Sequence, residues 1–207
     1  MALSTSNHNL LLPLTLIIIL TLHSSLASDS DILSDFIVPP NATNLDANYF
    51  TYTGLRSFIG AQPTSFTVYK ATLAELPSLD GQSVSYAALY YPPGSVNPPH
   101  THPRASELLF LVLGHLEVGF VDTNNKLFAQ TLQPGDMFVF PKGLLHYQYN
   151  SDDRTPAIAF SSFGSANAGT VSIPSAVFNT SVYDPILAVS FKTDVATIRK
   201  LKFGLSH

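Results

Sequence analysis

No cysteine occurs in this 207-residue chain, so no disulfide can brace it and no thiolate can ligate a metal. Charge is also scarce. Charged residues make up 12% of the sequence, and ten basic against fourteen acidic side chains leave a formal net charge of -4. That composition gives no basic footprint, which argues against nucleic acid as a partner. Long apolar runs are missing too: the stretch from Leu10 to Leu22 falls short of the ~20 residues a membrane span needs. No other segment comes closer. Internal repeats, low-complexity tracts and alternating strand-helix units are likewise absent.

The amino-terminal stretch has a different use. Residues 1–28 carry no Asp, Glu, Lys or Arg, and the apolar run ends in the small-residue stretch S-S-L-A-S. This reads as a signal peptide over residues 1–27, cut after Ala27, and implies a secreted protein. About 180 residues then remain, enough for one well-buried core.

Within that core the pattern is of short strands. Residues 28–62 are rich in Pro, Asn, Asp and Thr and read as an extended arm with short strand pieces. Residues 63–165 hold S-F-T-V-Y-K, S-V-S-Y-A-A-L-Y-Y, E-L-L-F-L-V-L, L-E-V-G-F-V, K-L-F-A-Q-T-L, D-M-F-V-F, L-H-Y-Q-Y and A-I-A-F-S-S-F, separated by Gly, Pro and Asn turns. Such spacing predicts an all-β sandwich or barrel. Residues 166–207 change character into a helical arm. Asp184-Pro185 marks one helix start, and Thr193 is the expected N-cap of the next, with Val195, Ile198 and Leu201 at helical spacing. This arm is expected to pack on another protein surface rather than on its own barrel.

The chemistry concentrates in four residues. In P-P-H-T-H-P, His100 and His102 share one face of an extended strand, because alternate side chains point the same way. Pro98 and Pro99 stiffen the approach. Glu107 opens the apolar run E-L-L-F-L-V-L-G, where a carboxylate is costly to bury unless it meets a cation. His146 follows a strand and a Pro-Lys-Gly turn, which can return a fourth ligand to the same face. Three neutral imidazoles and one carboxylate would leave a divalent ion with a net charge of about +1 and, if six-coordinate, two open positions. Such a site attracts small anions. Ligand type alone admits zinc, iron, copper or nickel. Phe110, Phe120, Phe138 and Phe140 are candidates to keep the cavity dry, and Arg104 is either a substrate anchor or a solvent or interface arginine. Asn41 and Asn179 lie in glycosylation sequons.

Two motifs resemble the germin and germin-like proteins of the cupin superfamily. They run from Gly94 to Gly114 and from Gly135 to Asn150, and the likeness extends from about Ser30 to the C-terminus, including S-D-F-I-V-P. The resemblance implies a jelly-roll β-barrel holding manganese through His100, His102, Glu107 and His146, in a homohexamer built as a trimer of dimers, secreted to the plant cell wall or apoplast. It departs from the family at Ile37 and over residues 54–57, where most members place the two halves of a disulfide. The arm is then expected to be held by packing or by neighbouring subunits. Three functions fit the resemblance: superoxide dismutase-type chemistry with a role in defence, oxalate oxidation, and a non-enzymatic wall protein or receptor stabilised by metal. Oxalate-oxidising members present two asparagines to the dianion; this chain keeps Asn97 as a substrate contact but has Ala87 at the other position. Oxalate oxidation is disfavoured accordingly.

Overall fold

Alternate side chains of a strand point to opposite faces, so a sheet can turn one face inward, and two such faces must meet. In the computed structural model, which describes residues 29–40 and 45–206, ten strands do so. They are β1 (Thr67–Ala71), β2 (Ser85–Tyr91), β3 (Val96–Thr101), β4 (Glu107–Leu113), β5 (Leu116–Val121), β6 (Leu127–Leu132), β7 (Met137–Phe140), β8 (Leu145–Tyr149), β9 (Ala157–Phe163) and β10 (Val171–Ser172). One sheet runs β1-β2-β9-β4-β7 and the other β10-β3-β8-β5-β6, with antiparallel pairing throughout. The fold is an all-β barrel of two sheets with an amino-terminal arm and a helical tail, the architecture that the resemblance implies.

The core lies between the sheets. Leu89, Tyr91, Leu109, Leu111, Leu116, Val118 and Phe140 form one cluster with Ala157 and Ala159. In β4 the inward residues Glu107, Leu109 and Leu111 are buried while Leu108, Phe110 and Val112 stay 39–43% exposed. Phe110 therefore faces out; Phe120 and Phe138 pack against the core cluster that holds Phe140, and none of the four lines the cavity over the histidines. The turn from β4 to β5 demands glycine: Gly114 has φ +79°, and a Cβ there would sit 2.5 Å from the Pro156 carbonyl oxygen. The chain from β7 to β8 crosses from one sheet to the other instead of closing a hairpin, since β7 pairs with β4 and β8 with β3 and β5.

The arm carries no strand among its described residues. Two 3-10 turns, Ala47–Phe50 and Gly54–Phe58, take the place of the expected strand pieces, because Asp46 and its neighbours satisfy the backbone locally. Phe58 packs against Ala88 and Tyr90 of β2, and the Tyr49 hydroxyl donates to the Ile37 carbonyl at 3.1 Å. The arm is thus fastened within its own chain.

Three helices form the tail: α1 (Ile173–Phe178), α2 (Asp184–Ser190) and α3 (Val195–Leu205). Leu187, Ala188 and Ile198 pack together at their centre, with Val177, Phe178 and Val195 around them. α2 starts at Asp184, where the sequence places a helix start, with Tyr183 as its cap residue and Pro185 second rather than first. Asp194 rather than Thr193 caps α3; its carboxylate accepts from Thr197 N at 2.9 Å because the chain is already extended at 194. Arg199 and Lys202 pair with Asp184 at 3.0 and 2.9 Å, so these cations join two helices as well as meeting the end of one. No helix among the described residues is long and apolar enough to cross a membrane.

Candidate metal centre

Strand register brings the four residues together. His100 on β3 sits directly across from His146 on β8, and the register shifts between Asn97 and His100. That irregularity falls on Pro98 and Pro99, which have no backbone N–H to give to the ladder. Glu107 enters from the opposite sheet at the start of β4, and His102 lies just past the end of β3. One donor atom from each of the four lies within 4.8 Å of the others. All four are buried, at 2, 7, 2 and 1% exposure for His100, His102, Glu107 and His146.

Hydrogen bonding fixes the state of each ring. The Nδ1 atoms of His100, His102 and His146 lie 2.8, 2.5 and 2.8 Å from the carbonyl oxygens of Pro98, Gly169 and Leu144. A carbonyl only accepts, so each Nδ1 carries the hydrogen, and a neutral ring then presents a bare lone pair at Nε2. Two of those lone pairs, at His102 and His146, face Glu107 Oε2 at 3.1 and 3.2 Å. Lone pairs cannot satisfy one another; a proton or a metal cation must lie between them. The donor set therefore fits a divalent ion, and backbone carbonyls on the far ring nitrogens are the usual support for metal-binding histidines.

Electrostatics agrees. Burial, followed by the repulsion of His146, lowers the His100 pKa from 6.5 to about 4, which keeps that ring neutral and able to ligate. Burial alone would raise the Glu107 carboxyl, but with a proton between Oε2 and the His102 and His146 nitrogens, as the metal-free site requires, hydrogen bonds from those rings outweigh burial and hold it at about 2. Phe140 stacks on the His146 ring at 4.5 Å and Phe163 meets His102 edge-on at 4.9 Å. Above the cluster opens a cavity of about 470 Å³ whose walls include Phe66, Val68, Ala87, Leu89, Asn97 and Phe163.

Asn97 reaches this cavity and its Nδ2 stands 3.5 Å from His100 Nε2, but the same amide donates to Gln148 Oε1 at 2.6 Å. Tyr91 also donates to that oxygen, at 3.3 Å. Gln148 Nε2 is left without a partner inside the barrel. Ala87 is 2% exposed and turns its methyl inward. Arg104 is exposed and does not enter the cavity wall; it donates to the carbonyl and side-chain oxygens of Asn167 at 2.5 and 2.8 Å, bracing the loop whose Gly169 carbonyl orients His102. Asn179 is exposed at the end of α1. Asn41 and residues 1–27, read from the sequence as a signal peptide, lie outside the described residues.

Sequence reasoning passed over Ser161. Its hydroxyl donates to Glu107 Oε1 at 2.6 Å. Alternation along A-I-A-F-S-S-F turns Ser161 inward with Ala157 and Ala159, which was the available signal, but its partner lies on another strand.

A two-sheet barrel with three histidines and a glutamate at one end defines a class. The family model described as Cupin matches residues 61–199, so the barrel is a cupin by sequence as well as by shape. Germin-like protein 9-3 of Oryza sativa subsp. japonica is 57% identical over 189 residues, covering 87% of this chain and 88% of its own. Germin-like protein subfamily 2 member 4 of Arabidopsis thaliana is 37% identical, covering 86% and 88%. The chain belongs to the germin-like proteins of the cupin family. Among solved structures, an oxalate oxidase in complex with the substrate analogue glycolate superimposes with a TM-score of 0.76 at 28% identity, over 86% of this chain and 98% of that one. The oxalate decarboxylase of Lactobacillus farciminis, in a formate complex, has a TM-score of 0.61 at 21% identity and shares the fold.

Proposed function

We propose that this is a secreted, manganese-binding germin-like protein of the plant cell wall, with superoxide dismutase-type activity and a role in defence. His100, His102, Glu107 and His146 would hold the ion. The observation that carries the reading is the meeting of Nε2 lone pairs with a buried carboxylate oxygen. Manganese, as against zinc or iron, rests on family membership, since the donor set accepts several divalent ions. When bound, the metal supplies one-electron chemistry toward a small oxygen species.

The protein's own groups select what arrives. The cavity sets Phe66, Val68, Leu89 and Phe163 beside Lys70, Glu75, Asn97 and Asn167, and the net positive charge of a loaded site would draw a small anion into it. Oxalate oxidation is the weaker enzymatic reading, because Ala87 offers no hydrogen bond and the Asn97 amide already donates to Gln148. A wall protein or receptor that uses metal for stability is the non-enzymatic alternative.

Secretion follows from the leader over residues 1–27, and Asn41 and Asn179 would then be open to glycosylation. Self-association into a hexamer of three dimers is supported by apolar surface. Met137 and Val139 on the β7 edge are 57 and 53% exposed, and Tyr183, Val189 and Phe203 on the tail 69, 81 and 69%. Metal analysis of secreted protein with side-by-side superoxide and oxalate assays tests the function. Absence of manganese, or oxalate turnover matching the superoxide reaction, overturns it. Light scattering reads the assembly, which dithiothreitol should leave unchanged; a monomer at micromolar concentration counts against it.

A further inference from the structure

We infer that Ser161 is a positioning residue which holds Glu107 to the metal through a single oxygen. The inference rests on the metal reading above and concerns a residue outside the four ligands. Glu107 divides its two oxygens between two tasks. Oε2 faces His102 and His146 Nε2 at 3.1 and 3.2 Å, on the metal side. Oε1 accepts from the Ser161 hydroxyl at 2.6 Å, and both residues are buried, at 2% and 0% exposure.

Nothing in the packing asks for a hydroxyl there. Ser161 stands in register with Ala87 on β2 and Leu109 on β4, and its inward neighbour along β9 is Ala159. A buried hydroxyl among apolar residues is costly unless it is bonded, and Glu107 is the acceptor it meets. The consequence concerns the number of free coordination positions. A carboxylate whose second oxygen is claimed contributes one donor; freed, it can turn and contribute two. With three histidines in place, one donor from Glu107 leaves two positions of a six-coordinate ion for water or substrate, and two donors leave one. By occupying Oε1, Ser161 keeps the second position open.

A matched pair of variants separates the hydroxyl from the volume. Ser161→Thr keeps the O–H and Ser161→Val replaces it with a methyl of the same size, and both suit a strand. The full secreted protein and both variants are stripped with chelator, loaded with Mn(II), and compared by water-proton relaxation, which counts exchangeable water on the ion. The threonine variant is expected to match the parent. The valine variant is expected to lose about half of the inner-sphere relaxivity, one of two positions being taken. Ser161→Ala should follow the valine variant and tests the same loss with no added bulk. Equal relaxivity in valine, alanine and parent proteins overturns the role of Ser161 while leaving the four-ligand reading intact. A parent that binds no Mn(II) overturns both.

Discussion

Replacing Glu107 with glutamine separates the metal-free protein from the loaded one, because the change has opposite signs in the two states. In the metal-free protein the Oε2 oxygen meets two histidine nitrogens at 3.1 and 3.2 Å and is satisfied only when an added proton lies between them. The glutamine amide can keep its oxygen on Ser161 and turn its N–H groups toward those lone pairs. The metal-free variant should therefore melt no lower than the metal-free parent. With metal the sign reverses, since the only anionic donor is gone. At a manganese concentration about a hundred times Kd, the parent gains about 2.7 kcal/mol, which for a chain of this size is a rise in Tm of about 5–10 °C. Loss of a supporting contact alone weakens metal binding by 10–100-fold, and loss of a ligand by at least as much. A hundredfold loss leaves the same solution near the variant's Kd, where the gain is about 0.4 kcal/mol and the rise about 1 °C. Calorimetric melts of chelator-stripped protein, with and without manganese chloride, read both signs. A Glu107→Gln protein whose manganese-dependent rise equals the parent's would refute the reasoning.

Three further outcomes follow from the same geometry. His146→Ala should lose most bound manganese, measured by elemental analysis of the purified protein, and full occupancy would sink the four-ligand assignment. The metal-free protein should weaken in acid: His100 falls from 6.5 to about 4 on folding, so the unfolded chain takes up the proton first and stability drops as pH descends from 6.5 to 4, by about 3 kcal/mol in all. Glu107, lowered from 4.5 to about 2, extends the loss below pH 4.5; a metal-free Tm that stays flat from pH 7 to 4.5 would contradict this. Ala87→Asn should restore some oxalate binding, because a hydrogen bond to a charged ligand is worth about 1.5–3 kcal/mol, or roughly tenfold or more. Titration of oxalate into the manganese-loaded proteins checks it, and equal affinities would show that Ala87 matters little.

The strands were legible because short apolar and aromatic runs are set off by Gly, Pro and Asn turns, and the four clustered residues were legible because H-x-H and an isolated glutamate are costly in an apolar strand unless they share a cation. Phe110 was misread for want of counting: once Glu107 is placed inward, every second residue follows it, and Phe110 must face out. The cap of α3 slipped by one residue, since Thr193 and Asp194 are both good caps and only the backbone decides between them. Ser161 and Gly169 were beyond reach for another reason. Their partners, Glu107 and His102, lie 54 and 67 residues away, and no local pattern encodes contacts between strands so far apart in sequence.

The missing cysteines and the metal cluster meet in one loop. At Ile37, where the family resemblance would place a cysteine, the backbone carbonyl accepts from Tyr49, and over residues 54–58 a 3-10 turn drives Phe58 into the β2 cluster. Further upstream, the Asp29 carboxylate accepts from Ser165 Oγ at 2.5 Å and from Ala166 N at 2.6 Å. Those residues open the segment that Arg104 grips at Asn167 and that ends at Gly169, the acceptor for His102. Gly169 itself has φ +69°, a left-handed backbone that strains any residue bearing a Cβ, so the turn there favours glycine. A disulfide would fix the arm to itself and leave this loop to its own devices. Fastening the arm through Asp29 instead places the chain's amino-terminal segment among the contacts that hold the acceptor of His102 Nδ1–H, and with it the tautomer that leaves Nε2 free to bind metal.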